Sequence, residues 1–129
     1  MGAKKSVLIL TDGSEKVAEI AAGISKALKG NKVTVKEASV FEGTDLLPAE
    51  ILFIGCCESS PSSFGYVDEM LRHINLAGRR CGIFASSAKA AQYLKKLLKS
   101  SEISVDQKIL TDANPAGIAG WTAGILAGK

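Results

Sequence analysis

The stretch Ser6-Val7-Leu8-Ile9-Leu10-Thr11, followed at once by Asp12-Gly13-Ser14, carries the clearest architectural signal in this sequence. Its apolar residues are continuous and do not alternate with polar ones, which is typical of a strand buried on both faces of a parallel sheet. Asp12-Gly13 breaks the run, and Ser14 can cap a helix whose apolar residues recur at helical spacing as far as Leu28. A buried strand that leads directly into an amphipathic helix predicts the start of a β-α-β unit.

Strands and helices continue to alternate along the rest of the chain. Further strands are predicted at 32–38, 50–57, 80–85 and within 103–110, and helices at 64–74, 86–98 and 115–126, with one helical turn near 44–47. This order predicts an α/β fold, a three-layer doubly wound five-stranded parallel sheet with helices on both faces. Because no linker or shift in composition divides the sequence, we expect a single domain over residues 1–129.

Composition and charge argue against several functional classes. The 129 residues are 47% hydrophobic and 22% charged, which is ordinary for a globular protein. The 16 basic and 13 acidic residues are scattered, so no basic surface for nucleic acid is indicated. The apolar run after the N-terminal lysines is too short for a signal peptide or a membrane span. We therefore predict a cytoplasmic protein that binds neither nucleic acid nor membrane.

The residue types that support catalysis or metal binding are sparse. Cys56, Cys57 and Cys81 lie in apolar runs without a CxxC spacing, which favours free thiols in a reducing compartment and no metal site. Neighbouring strand residues face opposite sides of a sheet, so one of Cys56 and Cys57 could be reactive at the loop edge, the alternative being a buried structural thiol. His73 is the sole histidine, and no Ser-His-Asp or Cys-His constellation is indicated, so we predict no catalytic residue.

Four segments, taken in order, resemble the flavodoxin family over nearly the whole chain. They are 6–11 with 14–21, 45–55, the loop Pro61-Ser62-Ser63-Phe64-Gly65, and 76–84. The resemblance implies the strand order 2-1-3-4-5 and a ligand at the edge where the strands end. It further implies FMN as the cofactor and electron transfer between redox partner proteins as the function, so an electron carrier is favoured over a catalyst. No GxGxxG turn follows the first strand, which argues against FAD or NAD.

The resemblance also implies a set of cofactor-binding residues. The phosphate would lie against the start of the first helix, where backbone N–H groups and hydroxyls bind anions, and the ring would lie between loops 58–66 and 86–89. The predicted residues are Thr11, Asp12, Gly13, Ser14, Lys16, Cys57, Ser59, Ser60, Ser63, Phe64, Gly65, Tyr66, Ser86 and Ser87. Phe64 and Tyr66 are the candidate walls for the ring.

Four departures from the family pattern support an alternative. The first loop is shorter than the Ser-, Thr- and Gly-rich loop usual in flavodoxins, and Asp12 and Glu15 stand where the phosphate would lie. Two like charges about 4 to 6 Å apart repel by roughly 1 kcal/mol in water and by more when partly buried. The loop after the fourth strand has no aromatic residue, and the net charge is +3, whereas flavodoxins are usually acidic. The alternative is a flavodoxin-fold interaction module that has lost FMN and binds another protein or another small anionic ligand.

Overall fold

In the computed structural model, which describes residues 5–58 and 61–127, five parallel strands form one sheet in the order β2-β1-β3-β4-β5. The strands are β1 (Ser6–Thr11), β2 (Lys32–Glu37), β3 (Ile51–Cys56), β4 (Arg80–Ala85) and β5 (Ser104–Val105). The described residues also form the helices α1 (Glu15–Ala27), α2 (Gly65–His73), α3 (Ala88–Lys99) and α4 (Pro115–Ala127). The predicted doubly wound sheet and its strand order are thus confirmed.

The observed elements differ from the prediction mainly at their ends. The last strand is only two residues long, because an Asp106 side chain accepts the N–H of Lys108 and turns the chain out of the ladder. The chain meets the sheet again at a single bridge between Leu110 and Phe84. The connection after β2 holds two short 3-10 helices, Ala38–Val40 and Gly43–Asp45; the second overlaps the turn predicted near 44–47, whereas the first was not predicted.

The core lies in two layers, one on each face of the sheet. Alternate residues of a strand face opposite sides, so Leu8 and Leu10 pack with α2 and α3, whereas Val7 and Ile9 pack with α1 and α4. All six residues of β3 are buried, which is why this strand reads as an unbroken apolar run. Both layers fix the central strands, and therefore the positions of the loops at their carboxyl ends.

Candidate functional site

The carboxyl ends of β1, β3 and β4 lie side by side and bring three loops together. Thr11 pairs with Gly55 across β1 and β3, and Cys56 pairs with Ala85 across β3 and β4. The chain leaves β1 toward one face of the sheet and β3 toward the other, which makes this edge the topological switch point where doubly wound proteins bind ligands. We call the loops of residues 12–14, 57–58 and 86–87 the strand-end edge.

The carboxylate of Asp12 joins the first two of these loops. Its Oδ1 atom accepts hydrogen bonds from the Ser14 N–H at 3.0 Å and the Ser14 hydroxyl at 2.7 Å, and its Oδ2 atom accepts the Cys57 N–H at 2.9 Å. Burial alone would raise the pKa of this carboxyl, but the hydrogen bonds from Cys57 and Ser14 outweigh burial and lower the pKa below its ordinary 3.8. Asp12 is therefore a fixed anion at neutral pH.

The backbone carbonyl of Cys57 extends this network to the third loop. It accepts the hydroxyls of Ser86 and Ser87, each at 3.4 Å. The Ser87 oxygen also accepts the Ala90 N–H at 3.2 Å, so Ser87 is the cap of α3. On the other side, the Ser63 hydroxyl donates to the Asp12 carbonyl at 3.5 Å. Hydroxyls that the sequence suggested as ligand contacts thus bind groups of the protein itself.

The start of α1 differs from the prediction in the role of Ser14. Ser14 is the residue at the N-cap position, but its side chain accepts no hydrogen bond from the helix, and its hydroxyl instead donates to Asp12. Gly13 adopts the left-handed conformation at φ +84°, and its N–H donates to the hydroxyl of Thr11 at 3.3 Å. Thr11 is only 2% exposed. The N–H groups of Gly13 and Ser14 are therefore hydrogen-bonded to the side chains of Thr11 and Asp12.

The two aromatic candidates for a ring site lie elsewhere. Phe64 is 0% exposed and belongs to the core, where its ring centre is 6.2 Å from that of Tyr93. The prediction that Phe64 forms a ligand wall is thereby corrected, because a fully buried ring offers no surface to a ligand. The Tyr66 hydroxyl accepts the Gly43 N–H at 3.0 Å, and its ring packs 5.7 Å from that of Phe41. Tyr66 thus belongs to a different surface.

The remaining predicted residues divide into three groups. The hydrogen bonds of the strand-end edge bring together Thr11, Asp12, Gly13, Ser14, Cys57, Ser63, Ser86 and Ser87. Lys16 is exposed in the first turn of α1, and Gly65 begins α2 with open space where a Cβ atom would lie. Ser59 and Ser60 lie outside the described residues. That these residues hold FMN stays a prediction.

The position of Asp12 at this edge is predictable from the sequence, but its hydrogen-bond partner just after β3 is not. The Cys57 N–H that binds Asp12 comes from a residue 45 positions away. A backbone amide has no residue-type signature, so only the pairing of β1 with β3 could have pointed to it.

The three thiols are expected to differ in reactivity. Cys56 and Cys81 are 0% exposed, and burial, helped by the nearby charges of Asp12 and Cys57, raises the pKa of Cys56 to about 12. Burial also raises the pKa of Cys81.

Because the thiolate is the reactive form, iodoacetamide at pH 8 should label only the half-buried Cys57 in the folded protein and all three cysteines in denaturant, as read by peptide mass spectrometry. Labelling of Cys56 as fast as Cys57 would contradict this.

The described residues provide neither a metal-binding cluster nor a membrane-spanning helix. No group of three His, Cys, Asp or Glu side chains among residues 5–58 and 61–127 is placed to hold a metal ion. Within the same residues, no helix has the length and apolar character needed to cross a bilayer.

The fold is similar to solved flavodoxin structures. A short-chain flavodoxin associated with a non-canonical PDU bacterial microcompartment superposes with a TM-score of 0.83 at 16% identity, covering 97% of this chain and 98% of that one. The Streptococcus pneumoniae TIGR4 flavodoxin gives 0.78 at 19% identity, covering 95% and 97%. The Fusobacterium nucleatum flavodoxin bound to flavin mononucleotide gives 0.76 at 12% identity, covering 97% and 98%. The sequence itself matches no protein-family model and no curated protein. The likeness establishes a flavodoxin-like fold.

Proposed function

We propose that this chain is a flavodoxin-fold interaction module that works without FMN and binds a protein partner through its strand-end edge. The observation that carries the proposal is the Asp12 carboxylate, which accepts the Ser14 N–H just before α1 and the Cys57 N–H just after β3. A protein carboxylate thus already places a negative charge beside the start of α1, where an incoming phosphate would lie.

Charge is the first reason that these residues do not fit FMN. A phosphate monoester carries a charge of about −1.5 to −2 at pH 7, and Asp12 is held ionised beside the same helix end. Glu15 adds a second carboxylate in the first turn of α1, and Lys16 is the one cation in that turn. Displacing Asp12 would also break hydrogen bonds to a charged group, each worth about 1.5–3 kcal/mol. Phosphate binding would therefore work against an interaction already in place.

The lining of the edge is the second reason. A flavin ring needs flat apolar walls, but Phe64 is buried in the core and Tyr66 is bound to Gly43. Ser86 and Ser87 stand on the loop after β4, and both hydroxyls donate to Cys57. Among the described residues, neither loop therefore presents an aromatic ring at the strand-end edge, because the exposed Tyr66 lies beside Gly43 and Leu47 instead.

The same features suit a protein partner. Asp12, Cys57 and the two serines cross-link three loops, which lowers the entropy lost when a partner orders the surface. The exposed residues around the edge carry both signs of charge. Such a polar, mixed surface is typical of the rim of a protein–protein interface. We infer a partner with complementary polar groups.

FMN-dependent electron transfer with redox partner proteins is the second candidate. The likeness to a flavodoxin solved with flavin mononucleotide favours it. The helical hydrogen bonds of α1 begin with the Ala18 N–H to the Ser14 carbonyl at 2.8 Å, so the amides of residues 15–17 precede the ladder and could bind a phosphate. In this case Asp12 would have to turn away from the helix.

Titration of FMN fluorescence separates the two candidates. For the proposed module, we expect a colourless purified protein. We also expect no saturable quenching of FMN fluorescence at concentrations up to tens of micromolar, where the dissociation constant would correspond to a binding free energy of about −6 kcal/mol. Asp12→Asn keeps the shape and removes the charge, so it should raise FMN affinity without raising riboflavin affinity, because riboflavin lacks the phosphate. Asp112→Asn, in an exposed turn where Asp112 accepts the Asn114 N–H, is the matched control. Submicromolar FMN binding by the unmodified chain would overturn the proposal in favour of the electron carrier.

A further inference from the structure

A groove of about 550 Å³ runs along the outer side of the sheet, between the edge strand β2 and helix α1. Its walls are mostly apolar and small, and include Ala18, Ala22 and Ser25 of α1 and Val35 of β2. Val35 is 50% exposed and is the apolar side chain that β2 contributes to the groove. The groove is separate from the strand-end edge except at Thr11 and Gly13, which line its far end.

The backbone of β2 presents a row of hydrogen-bonding groups on this side. Lys32 donates its N–H to Lys5, toward β1. Alternate residues of a strand direct their N–H and C=O groups to opposite sides, so those of Val33, Val35 and Glu37 point outward. β2 pairs with β1 alone in the described sheet. An edge of this kind is a template for another strand.

The sequence of β2 suits pairing with an antiparallel copy of itself. Two antiparallel copies of β2 are related by a two-fold axis perpendicular to the sheet. If this axis passes beside Val35, then Val35 lies opposite Val35 of the second copy, and Val33 lies opposite Glu37 of the second copy. The backbone groups of all three residues point outward and can bond across the axis. Shifting this pairing by two residues in one direction places Lys32 opposite Lys36 of the second copy. Shifting it by two residues in the other direction places Lys36 opposite Lys36 of the second copy. Like charges directly opposite are destabilising. The register centred on Val35 avoids both like-charge pairs.

The charges of α1 are arranged for the same symmetry. The first half of the helix carries Glu15, Lys16 and Glu19 and is net acidic, whereas its last turn carries Lys26, with Lys29 just beyond it; all of these side chains are exposed. A two-fold axis perpendicular to the sheet makes the two copies of α1 antiparallel. The acidic half of each helix then runs beside the basic end of the other, and the small residues Ala18 and Ala22 let the helices approach across the groove.

We propose that β2 and α1 form a symmetric interface with a second copy of this chain, so that one ten-stranded sheet crosses the dimer. The interface uses the same patch on both subunits, as a two-fold dimer requires. A six-residue strand and a 13-residue helix are each about 20 Å long. This places the interface at the small end of stable ones, so dimerisation should depend on concentration in the micromolar range. The proposal does not depend on whether FMN binds.

Sedimentation velocity over a range of concentrations tests the dimer. The unmodified chain should shift from monomer to dimer as concentration rises. Val35→Lys places two lysines against each other at the axis and should weaken dimerisation at least about tenfold. Leu47→Lys is the matched control, because Leu47 is 66% exposed and lies on a different surface, beside Tyr66. A monomer at every concentration, or equal loss in the two variants, would overturn the proposal.

A pair of charge reversals tests the orientation of the helices. In the Lys26→Glu variant, the end of each α1 becomes acidic and faces the acidic first half of the other α1. In the Glu19→Lys variant, the first half of each α1 becomes more basic and faces the basic end of the other. Each variant alone should therefore dimerise more weakly than the unmodified chain. An equimolar mixture of the two variants should form a heterodimer, because opposite charges then face each other at both ends of the paired helices. Failure of the mixture to associate more strongly than either variant alone would rule out this antiparallel arrangement.

Discussion

The Gly55→Ala variant is expected to lose about 3 kcal/mol or more of its free energy of unfolding, at the upper end of what overpacking costs. Gly55 lies in the fully buried strand β3, paired with Phe84 of β4. A Cβ atom at Gly55 would stand 2.6 Å from the backbone oxygen of Phe84 and would also meet the Phe84 ring. Because the oxygen belongs to the neighbouring strand, the contact cannot be relieved by a side-chain rotation alone.

Urea unfolding followed by circular dichroism measures this loss. The control is Gly120→Ala, since Gly120 lies in α4 with open space at the Cβ position. Alanine is favoured over glycine inside a helix, so Gly120→Ala should stabilise the protein by about 0.5–1 kcal/mol. A Gly55→Ala variant within about 1 kcal/mol of the unmodified chain would contradict the packing described for β3 and β4.

The Asp12→Ala variant is expected to lose about 2 kcal/mol at neutral pH, because the Cys57 N–H and the Ser14 groups lose a charged acceptor. The pKa of Asp12 is lower in the folded than in the unfolded chain. Its contribution is therefore present above the ordinary pKa of 3.8 and is lost as the pH falls through the lower folded value. The difference in stability between the variant and the unmodified chain should shrink accordingly under acid conditions.

The matched control for this variant is Asp112→Ala. Asp112 is exposed and accepts one backbone N–H, from Asn114 at 3.0 Å. Removing such a solvent-exposed bond should cost about 0.5 kcal/mol. Denaturant titrations at neutral and acid pH give both quantities. Equal losses for the two variants, or a loss at Asp12 that persists unchanged in acid, would show that the carboxylate does not hold the loops together.

The sequence was sufficient for the fold because the relevant signals are local. The unbroken apolar run at 6–11 and the helical spacing after Ser14 each follow from a few neighbouring residues. The strand order needed more, since it came from a resemblance spread over the whole chain. The ends of elements were less predictable, as β5 shows, because an edge strand can stop wherever a side chain such as Asp106 offers its backbone another partner.

The candidate site was only partly predictable, for a physical reason. Residue type indicated that Asp12 would oppose a phosphate, but it could not show that Asp12 binds the amide of Cys57. The sequence also suggested Phe64 as a ring partner, whereas the 3-10 turn at Ser62–Phe64 places that ring in the core. Contacts between loops depend on how the strands are paired, so residue type alone cannot predict them. An aromatic residue is equally suited to a core and to a binding site, so its type does not show which of the two it occupies.

The most direct measurement is an NMR titration of the Asp12 carboxyl carbon from neutral pH downward, with the Cys57 amide proton observed in the same samples. If the carboxylate holds the strand-end edge together, the carbon should titrate below 3.8 and the amide should follow the same curve. A carboxyl carbon that titrates at or above 3.8, or an amide that does not respond, would contradict an internal anion at the head of α1.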